Sequence, residues 1–440
     1  MVARAEPSKH NVARMETATA SQDRSLRAFT PALILLFVYM LINYLDRGNV
    51  STAGPLLKKE FGLNASQLGI LFATFFSSYT AMQFVVGWLV DRFDESRILA
   101  AGFVIWSLAT AATGIVRGFA MLLAMRLVLG VGESVALPAC TKILARHLPE
   151  HWRGFASGAL MTALRCGNAI GTLAAGLLMA RFGWRPIFIW VGIGSLLWLP
   201  AWSKWKPRYA RSITANVGGT GPRGMQILSQ RSFWGGCVGH FASNYLFYFM
   251  ITWLPSYLVL ERHLSMTTMA GVAGLYYSVD AAGALASGWL QDHFIRRGHT
   301  PTVVRKAAMA IGFAMAALAL MGCALASSSS FLLWLLVAGV GCCTTGPGLL
   351  TFHQTLAGPR AAGRWYGWQN GFANFSGVVG PALTGFVVQE TGKFLMPFVI
   401  TAAICIAGIF GWVLIVGRVE QVNFSLSRET TVVSAARAEV

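Results

Sequence analysis

Long apolar runs alternate with short polar breaks along nearly the whole chain. About 20 consecutive apolar residues are what an α-helix needs to cross the hydrocarbon core of a bilayer. The runs and their Gly, Pro and charged breaks therefore predict an all-α polytopic membrane protein. Its twelve predicted transmembrane helices cover residues 29–53, 66–90, 98–116, 119–145, 155–180, 186–203, 233–259, 268–290, 306–326, 331–357, 366–389 and 395–417.

The second half of the chain repeats features of the first half. Gly-Trp-Leu-Val-Asp at 87–91 recurs as Gly-Trp-Leu-Gln-Asp at 288–292, and three glycines of spans 5 and 6 recur at a similar displacement in spans 11 and 12. Such duplication predicts two pseudo-symmetric six-helix bundles. The predicted segments are a disordered tail (1–28), the N-terminal bundle (29–203), a cytoplasmic linker (204–232), the C-terminal bundle (233–417) and a second tail (418–440).

The positions of the basic residues along the chain show what its net positive charge means. A net charge of +18 in a soluble protein would suggest nucleic acid, but 55% of the residues are hydrophobic and only 12% are charged. Lys and Arg in the short loops number seventeen on one side of the predicted membrane and seven on the other. The positive-inside rule then places both termini in the cytoplasm of a cell-membrane protein. Anionic lipids, not nucleic acid, are the expected partners of this charge.

The sequence shows no pattern typical of an enzyme or a metalloprotein. All seven cysteines lie in apolar spans, at spacings that match neither a metal site nor a disulfide framework. No nucleophile with a base and no convergent set of metal ligands is present. We therefore expect no enzymatic activity, no cofactor and no metal, and we expect the protein to be a monomer.

An acid and a base lie side by side in the first predicted span, at Asp46 and Arg47. A charge at the bilayer centre costs at least ~2.5 to 3.5 kcal/mol, so such residues are usually functional. One interpretation is a neutralised ion pair that fixes helix packing. The other, which the cost favours, is a substrate or proton site in a polar cavity.

Further charges within the spans suggest partners for this pair. Arg126 and Glu133 are seven positions apart in span 4, so they share one helix face about 10 Å apart along the axis. Each needs a partner on another helix, with Asp46 for Arg126 or Arg47 for Glu133 as the candidates. Such a site is cationic when its acids take up protons, which predicts binding of an anion together with protons.

The other polar residues of the spans leave alternatives open. Arg165 is either a third cation of the cavity or a side chain that reaches the membrane interface. Asp280 is more consistent with a gate or with helix pairing than with proton transfer. Asn370 and Asn374 share one face of span 11, where their amides could orient solute hydroxyls or bond a neighbouring helix.

The sequence resembles the major facilitator superfamily over nearly all of residues 29–417. Gly-Trp-Leu-Val-Asp-Arg at 87–92 is similar to its loop 2-3 motif, and Arg-x-x-x-Gly-x-Gly-Glu at 126–133 to its span 4 motif. Within it, residues 43–47 with Glu133 and the Asn-Gly-rich segment 370–385 resemble the anion:cation symporter family. That family includes carriers of sugar acids, phthalate and tartrate and vesicular organic-anion transporters.

This resemblance implies roles for individual residues. The implied roles are protonation for Asp46 and Glu133, carboxylate binding for Arg47, lining of the site for Tyr44 and Tyr79, and coupling of protons to substrate for Arg126. The chain departs from the family at Asp94-Glu95-Ser96, where basic residues are usual, and at Arg165, where a small or amide residue is expected. The second departure suggests a substrate that differs from simple sugar acids.

The sequence therefore predicts a secondary active transporter that imports a small organic anion, a sugar acid or another carboxylate, by proton symport and alternating access. One alternative is an exporter of lipophilic or drug-like compounds in the same fold, which would need an open aromatic cavity and few fixed cations. The other is a non-transporting membrane sensor. A sensor would need a partner-binding cytoplasmic domain, and no loop is long enough for one.

Overall fold

The apolar runs form helices that extend beyond the predicted spans. A computed structural model describes residues 9–148, 150–207, 224–326, 330–422 and 424. The described helices are α1 (Lys9–Phe61), α2 (Ala65–Arg92), α3 (Glu95–Thr113), α4 (Phe119–Glu133), α5 (Ala136–His147), α6 (Glu150–Phe182), α7 (Trp184–Ser195), α8 (Trp198–Trp205), α9 (Gly224–Leu228), α10 (Arg231–Leu260), α11 (Met266–Arg296), α12 (Pro301–Leu325), α13 (Phe331–Thr391), α14 (Leu395–Ile409) and a π-helix (Phe410–Ile415).

All twelve predicted spans fall on these helices. Eight helices of the described chain are by themselves long and apolar enough to cross a membrane. Helices α2, α10 and α11 are 28 to 31 residues long, which is also enough length to cross a bilayer. The all-α fold of two six-helix bundles is thus confirmed.

Some spans are broken or fused. Span 4 is divided into α4 and α5 by a turn at Ser134 and Val135, and span 6 is divided between α7 and α8. Spans 10 and 11 run together as α13, with one non-helical residue, Gly358. Its φ of +64° is a left-handed conformation that glycine adopts without steric cost, so the chain turns there between two helices.

Parts of the predicted tails belong to the described residues. Helix α1 already begins at Lys9, because residues 9–28 are rich in good helix formers and continue a helix that the apolar run nucleates. Residues 418–422 pack on the C-terminal bundle, where the Val422 amide donates to the Leu356 carbonyl at 3.0 Å. Residues 1–8, 208–223 and 425–440, which hold most of the predicted linker and second tail, lie outside the described residues.

The two bundles touch closely on the predicted outer side. A Cβ built on Gly69 of α2 would lie 2.6 Å from the Pro381 carbonyl oxygen of α13. The Ala65 amide nearby donates to Gln389 Oε1 at 3.0 Å, and so links the same two helices. Only glycine permits such an approach of two backbones, so the bundles are in direct backbone contact at this end.

Glycines of α2, α6 and α13 are uncovered near the predicted cytoplasmic side. A Cβ on Gly87 of α2, Gly158 of α6 or Gly367 of α13 would meet no described atom within 4 Å. The tryptophans of the repeated turn, Trp88 and Trp289, are more than half exposed. Close glycine contacts between the bundles are therefore found on the outer side and not at these inner positions.

Candidate functional site

Arg47 of α1 and Glu133 of α4 form a buried ion pair. Arg47 Nε donates to Glu133 Oε2 at 2.7 Å, and the two side chains are 6% and 0% exposed. The sequence left open two pairings, Asp46 with Arg126 or Arg47 with Glu133. The structure contains the second as a direct ion pair. Removing one partner of such a pair is costly, because the other charge stays buried without compensation.

Aromatic rings surround the Arg47 guanidinium. Its central carbon lies 4.5 Å from the ring centroid of Tyr44, 4.7 Å from that of Tyr79 and 5.2 Å from that of Phe75. Cation–π attraction at such distances stabilises a guanidinium away from water. Tyr44 and Tyr79 thus contact the Arg47 guanidinium, but neither is among the residues that line the cavity described below. Phe75, which does line it, is an addition that the sequence analysis missed.

Asp46 points to a different set of partners. Thr110 Oγ1 of α3 donates to Asp46 Oδ2, and Asn49 Nδ2 donates to Oδ1 at 3.1 Å. Arg126 interacts with the Asp46 carboxylate electrostatically, but no hydrogen bond joins the two. The predicted partnership of Asp46 with Arg126 is therefore one of proximity, and the direct contacts of this acid are neutral.

Arg126 of α4 lines a cavity between the bundles. It is 6% exposed, and in the described parts of the chain its guanidinium makes neither a hydrogen bond nor an ion pair. Its charged neighbours are Asp46 and Glu133, and the Phe75 ring lies 6.0 Å away. A buried guanidinium with free donors at a cavity wall is suited to bind a carboxylate.

The cavity itself is small and mostly apolar. Its volume of about 30 Å³ holds water rather than an organic acid, so a solute of that size requires the bundles to move apart. The lining comes from α1, α2 and α4 of one bundle and α10 of the other: Arg47, Val50, Ser51, Phe72, Phe75, Phe76, Arg126, Phe247, Tyr248, Ile251 and Thr252.

The two predicted amides of span 11 have different surroundings. Asn374 is buried and its Oδ1 accepts a hydrogen bond of 2.6 Å from the Tyr248 hydroxyl, so it positions a lining residue. Asn370, one turn away, is half-buried and forms no hydrogen bond with the described residues. Neither asparagine is among the residues that line the cavity, and of the two only Asn374 has a hydrogen-bond partner in the described residues.

Arg165 and Asp280 pair with each other across the bundle interface. Arg165 Nη1 of α6 donates to Asp280 Oδ2 of α11. Gly346 leaves room for the guanidinium, since a Cβ there would overlap Arg165. Arg165 therefore pairs with Asp280 and neither lines the cavity nor extends towards the membrane interface. The helix-pairing role predicted for Asp280 agrees with this contact.

The main residues that the sequence analysis missed come from α3 and α10. Thr110, the partner of Asp46, and Tyr248, the partner of Asn374, are uncharged residues in apolar runs. No spacing distinguishes them from core residues, and only tertiary packing brings them to the site. The acids and bases were found because charge is rare in such runs.

Comparison with known proteins agrees with the fold. The chain matches the family "Major Facilitator Superfamily" over residues 36–304 and 302–438. A hexuronate transporter of Bacillus subtilis (strain 168) is 29% identical over 396 residues, which cover 86% of this chain and 92% of that protein. A probable sulfoacetate transporter of Cupriavidus necator is 30% identical over 388 residues, covering 82% and 88%.

The fold also resembles a solved structure. A bacterial homolog to the human lysosomal transporter Spinster, in an inward-facing and occupied conformation, aligns with a TM-score of 0.73. The alignment covers 87% of this chain and 96% of that one at 18% sequence identity. At this identity the similarity shows a common fold alone.

Proposed function

Because the chain belongs to the major facilitator superfamily, we propose that it imports a small organic anion together with protons by alternating access. Its similar relatives are named as transporters of hexuronate and sulfoacetate, both organic anions. The family and fold are those of multi-pass membrane transporters and not of enzymes, as the sequence predicts. The bacterial relatives indicate the plasma membrane.

The observation that carries the proposal is the buried cluster of two arginines and two acids. Arg47 is held by Glu133, whereas Arg126 lies at the cavity wall without a hydrogen-bonded counter-ion in the described chain. A carboxylate that enters the cavity can bind Arg126 directly. No neutral or cationic solute would compensate that buried charge.

Proton coupling follows from the Arg47–Glu133 pair. When Glu133 takes up a proton, its attraction for Arg47 falls and the guanidinium is free to bind the substrate carboxylate. When the proton leaves, Glu133 competes with the substrate for Arg47. Proton and anion thus bind together and leave together, which is the thermodynamic requirement for symport.

Asp46 supplies the second proton site of the proposal. Its contacts with Thr110 and Asn49 fix the carboxyl group on the α3 side, within electrostatic range of Arg126. A proton on Asp46 removes a negative charge that acts on Arg126, so Arg126 then attracts an anion more strongly. Both acids therefore favour the loaded state when protonated.

The bundle contacts support alternating access. The interface is closed by backbone contact at Gly69 and Pro381 on the outer side, whereas Gly87, Gly158 and Gly367 are uncovered on the inner side. A rocking motion that covers the inner glycines would separate the outer ones. The repeated halves make two such arrangements similar in energy.

The aromatic lining is what a lipophilic exporter would also have, so this alternative needs a direct test. We expect that some member of a panel of carboxylates raises the melting temperature of the purified protein, and that its neutral amide does not. A ligand at about 100 times its Kd stabilises by about 2.7 kcal/mol, which is readily measured. Stabilisation by lipophilic amines but by no carboxylate would favour the exporter.

A further inference from the structure

We propose that the anion carried has an aromatic body and is not a polyhydroxylated sugar acid. This inference rests on the proposed function and concerns the rest of the substrate beyond its carboxylate. Five of the residues that line the cavity are aromatic, and they come from both bundles: Phe72, Phe75, Phe76, Phe247 and Tyr248.

Four of these five aromatic side chains, Phe75, Phe76, Phe247 and Tyr248, form one connected surface. The Phe75 and Phe76 rings are 5.0 Å apart edge to face, and the Phe76 and Tyr248 rings are 4.4 Å apart. Phe75 in turn lies 6.0 Å from the Arg126 guanidinium. A flat ring placed on this surface gains aromatic contacts, and a carboxylate attached to it is within the neighbourhood of Arg126.

The hydroxyl groups of the lining already donate to protein atoms. Ser51 Oγ donates to the Gly48 carbonyl at 2.9 Å, and Thr252 Oγ1 to the Tyr248 carbonyl at 2.6 Å. The Tyr248 hydroxyl donates to Asn374. These three hydroxyls are therefore not available as donors to a sugar acid, and the free donors of the lining are those of Arg126 and Arg47, which the proposed function assigns to the carboxylate.

The energetic consequence is selectivity against hydroxyls. A buried polar group left without a hydrogen bond costs about 1 to 3 kcal/mol, and a sugar acid carries several hydroxyls. Each unpaired hydroxyl would weaken binding by about fivefold to a hundredfold at that cost. An aromatic acid carries no such cost and adds the burial of its ring.

The test compares two sets of carboxylates on the full-length protein in detergent by calorimetry, at one acidic pH. We expect benzoate and phenylacetate to bind at least about tenfold more tightly than glucuronate and galactonate. Phe247→Leu, at a half-buried position of the lining, should weaken the aromatic acids selectively. Phe386→Leu, at an exposed position of α13, is the matched control and should leave binding unchanged.

The outcomes separate this inference from the proposed function. Equal or tighter binding of the sugar acids would overturn the aromatic assignment and leave organic-anion transport intact. Binding of aromatic acids that Phe247→Leu and Phe386→Leu affect equally would also overturn it. If no carboxylate of either set bound, both the inference and the proposed function would fail.

Discussion

Replacement of Arg47 by alanine is expected to abolish binding and uptake of the anion. The guanidinium is the group that we propose passes from Glu133 to the substrate carboxylate, and alanine offers no donor. Arg47→Lys should retain the charge but lose the bidentate fork, so we expect at least about tenfold weaker binding from the loss of one charge-assisted hydrogen bond. Calorimetry on the purified variants and counterflow in reconstituted vesicles measure both effects.

Two control variants separate binding from folding. The alanine variant leaves Glu133 buried and unpaired, which in a charged state costs about 3 to 5 kcal/mol. The double variant Arg47→Ala/Glu133→Gln removes both charges and should recover stability but not binding. Arg185→Ala removes an arginine that pairs with Glu60 at the surface, away from the cavity, and should leave anion binding unchanged. Near-normal anion binding by Arg47→Ala would show that this arginine is structural.

Neutralising either buried acid is expected to eliminate proton-driven accumulation. In Glu133→Gln and Asp46→Asn the amide imitates the protonated carboxyl group, so the anion can still bind without the protonation step that the replaced acid supplies. Exchange of labelled for unlabelled anion should survive in vesicles, whereas uphill uptake driven by a pH gradient should fall to the level of vesicles without protein. Exchange that survives while uphill uptake is lost identifies a residue that couples the proton to the anion.

Glu95 provides the matched control for these acids. It is also buried, and its carboxylate pairs with Arg146 near the predicted cytoplasmic ends of α3 and α5, away from the cavity. Glu95→Gln should slow exchange and uphill uptake in the same proportion, if it affects them at all. Uphill uptake that persists in both Glu133→Gln and Asp46→Asn would assign the coupled proton to another group.

The fold and the charged members of the site could be predicted from the sequence. Long apolar runs and a repeated Gly-Trp turn are enough for two helical bundles, because in lipid each backbone hydrogen bond must be made within a helix. Asp46, Arg47, Arg126 and Glu133 are conspicuous because ionisable groups are costly in such runs. Their burial in one neighbourhood agrees with that reasoning.

The choice of partners could not be predicted. Helical spacing places Arg126 and Glu133 on one face but does not say which residue of α1 meets which residue of α4. That choice depends on the rotation of α1, which α6 influences through the close approach of Gly167 and Gly171 to its backbone. The Arg165–Asp280 pair likewise depends on how two bundles, distant in sequence, meet.

The lining of the cavity was missed for a related reason. Phe75 and Tyr248 are aromatic residues in apolar helices, and such residues more often pack in the core than contact a solute. The distinction depends on which helix face borders the cavity between the bundles. A single sequence records the composition of that face but not its orientation.

The most direct test of the account is whether protons enter with the anion. Vesicles that contain the purified protein and a pH-sensitive dye, with the membrane potential clamped by potassium and valinomycin, receive an inward gradient of a carboxylate that the protein binds. The account predicts that the interior acidifies with wild-type protein, and that vesicles without protein or with Glu133→Gln show only the passive rate. Anion uptake by the wild-type protein without acidification above that rate would contradict proton symport.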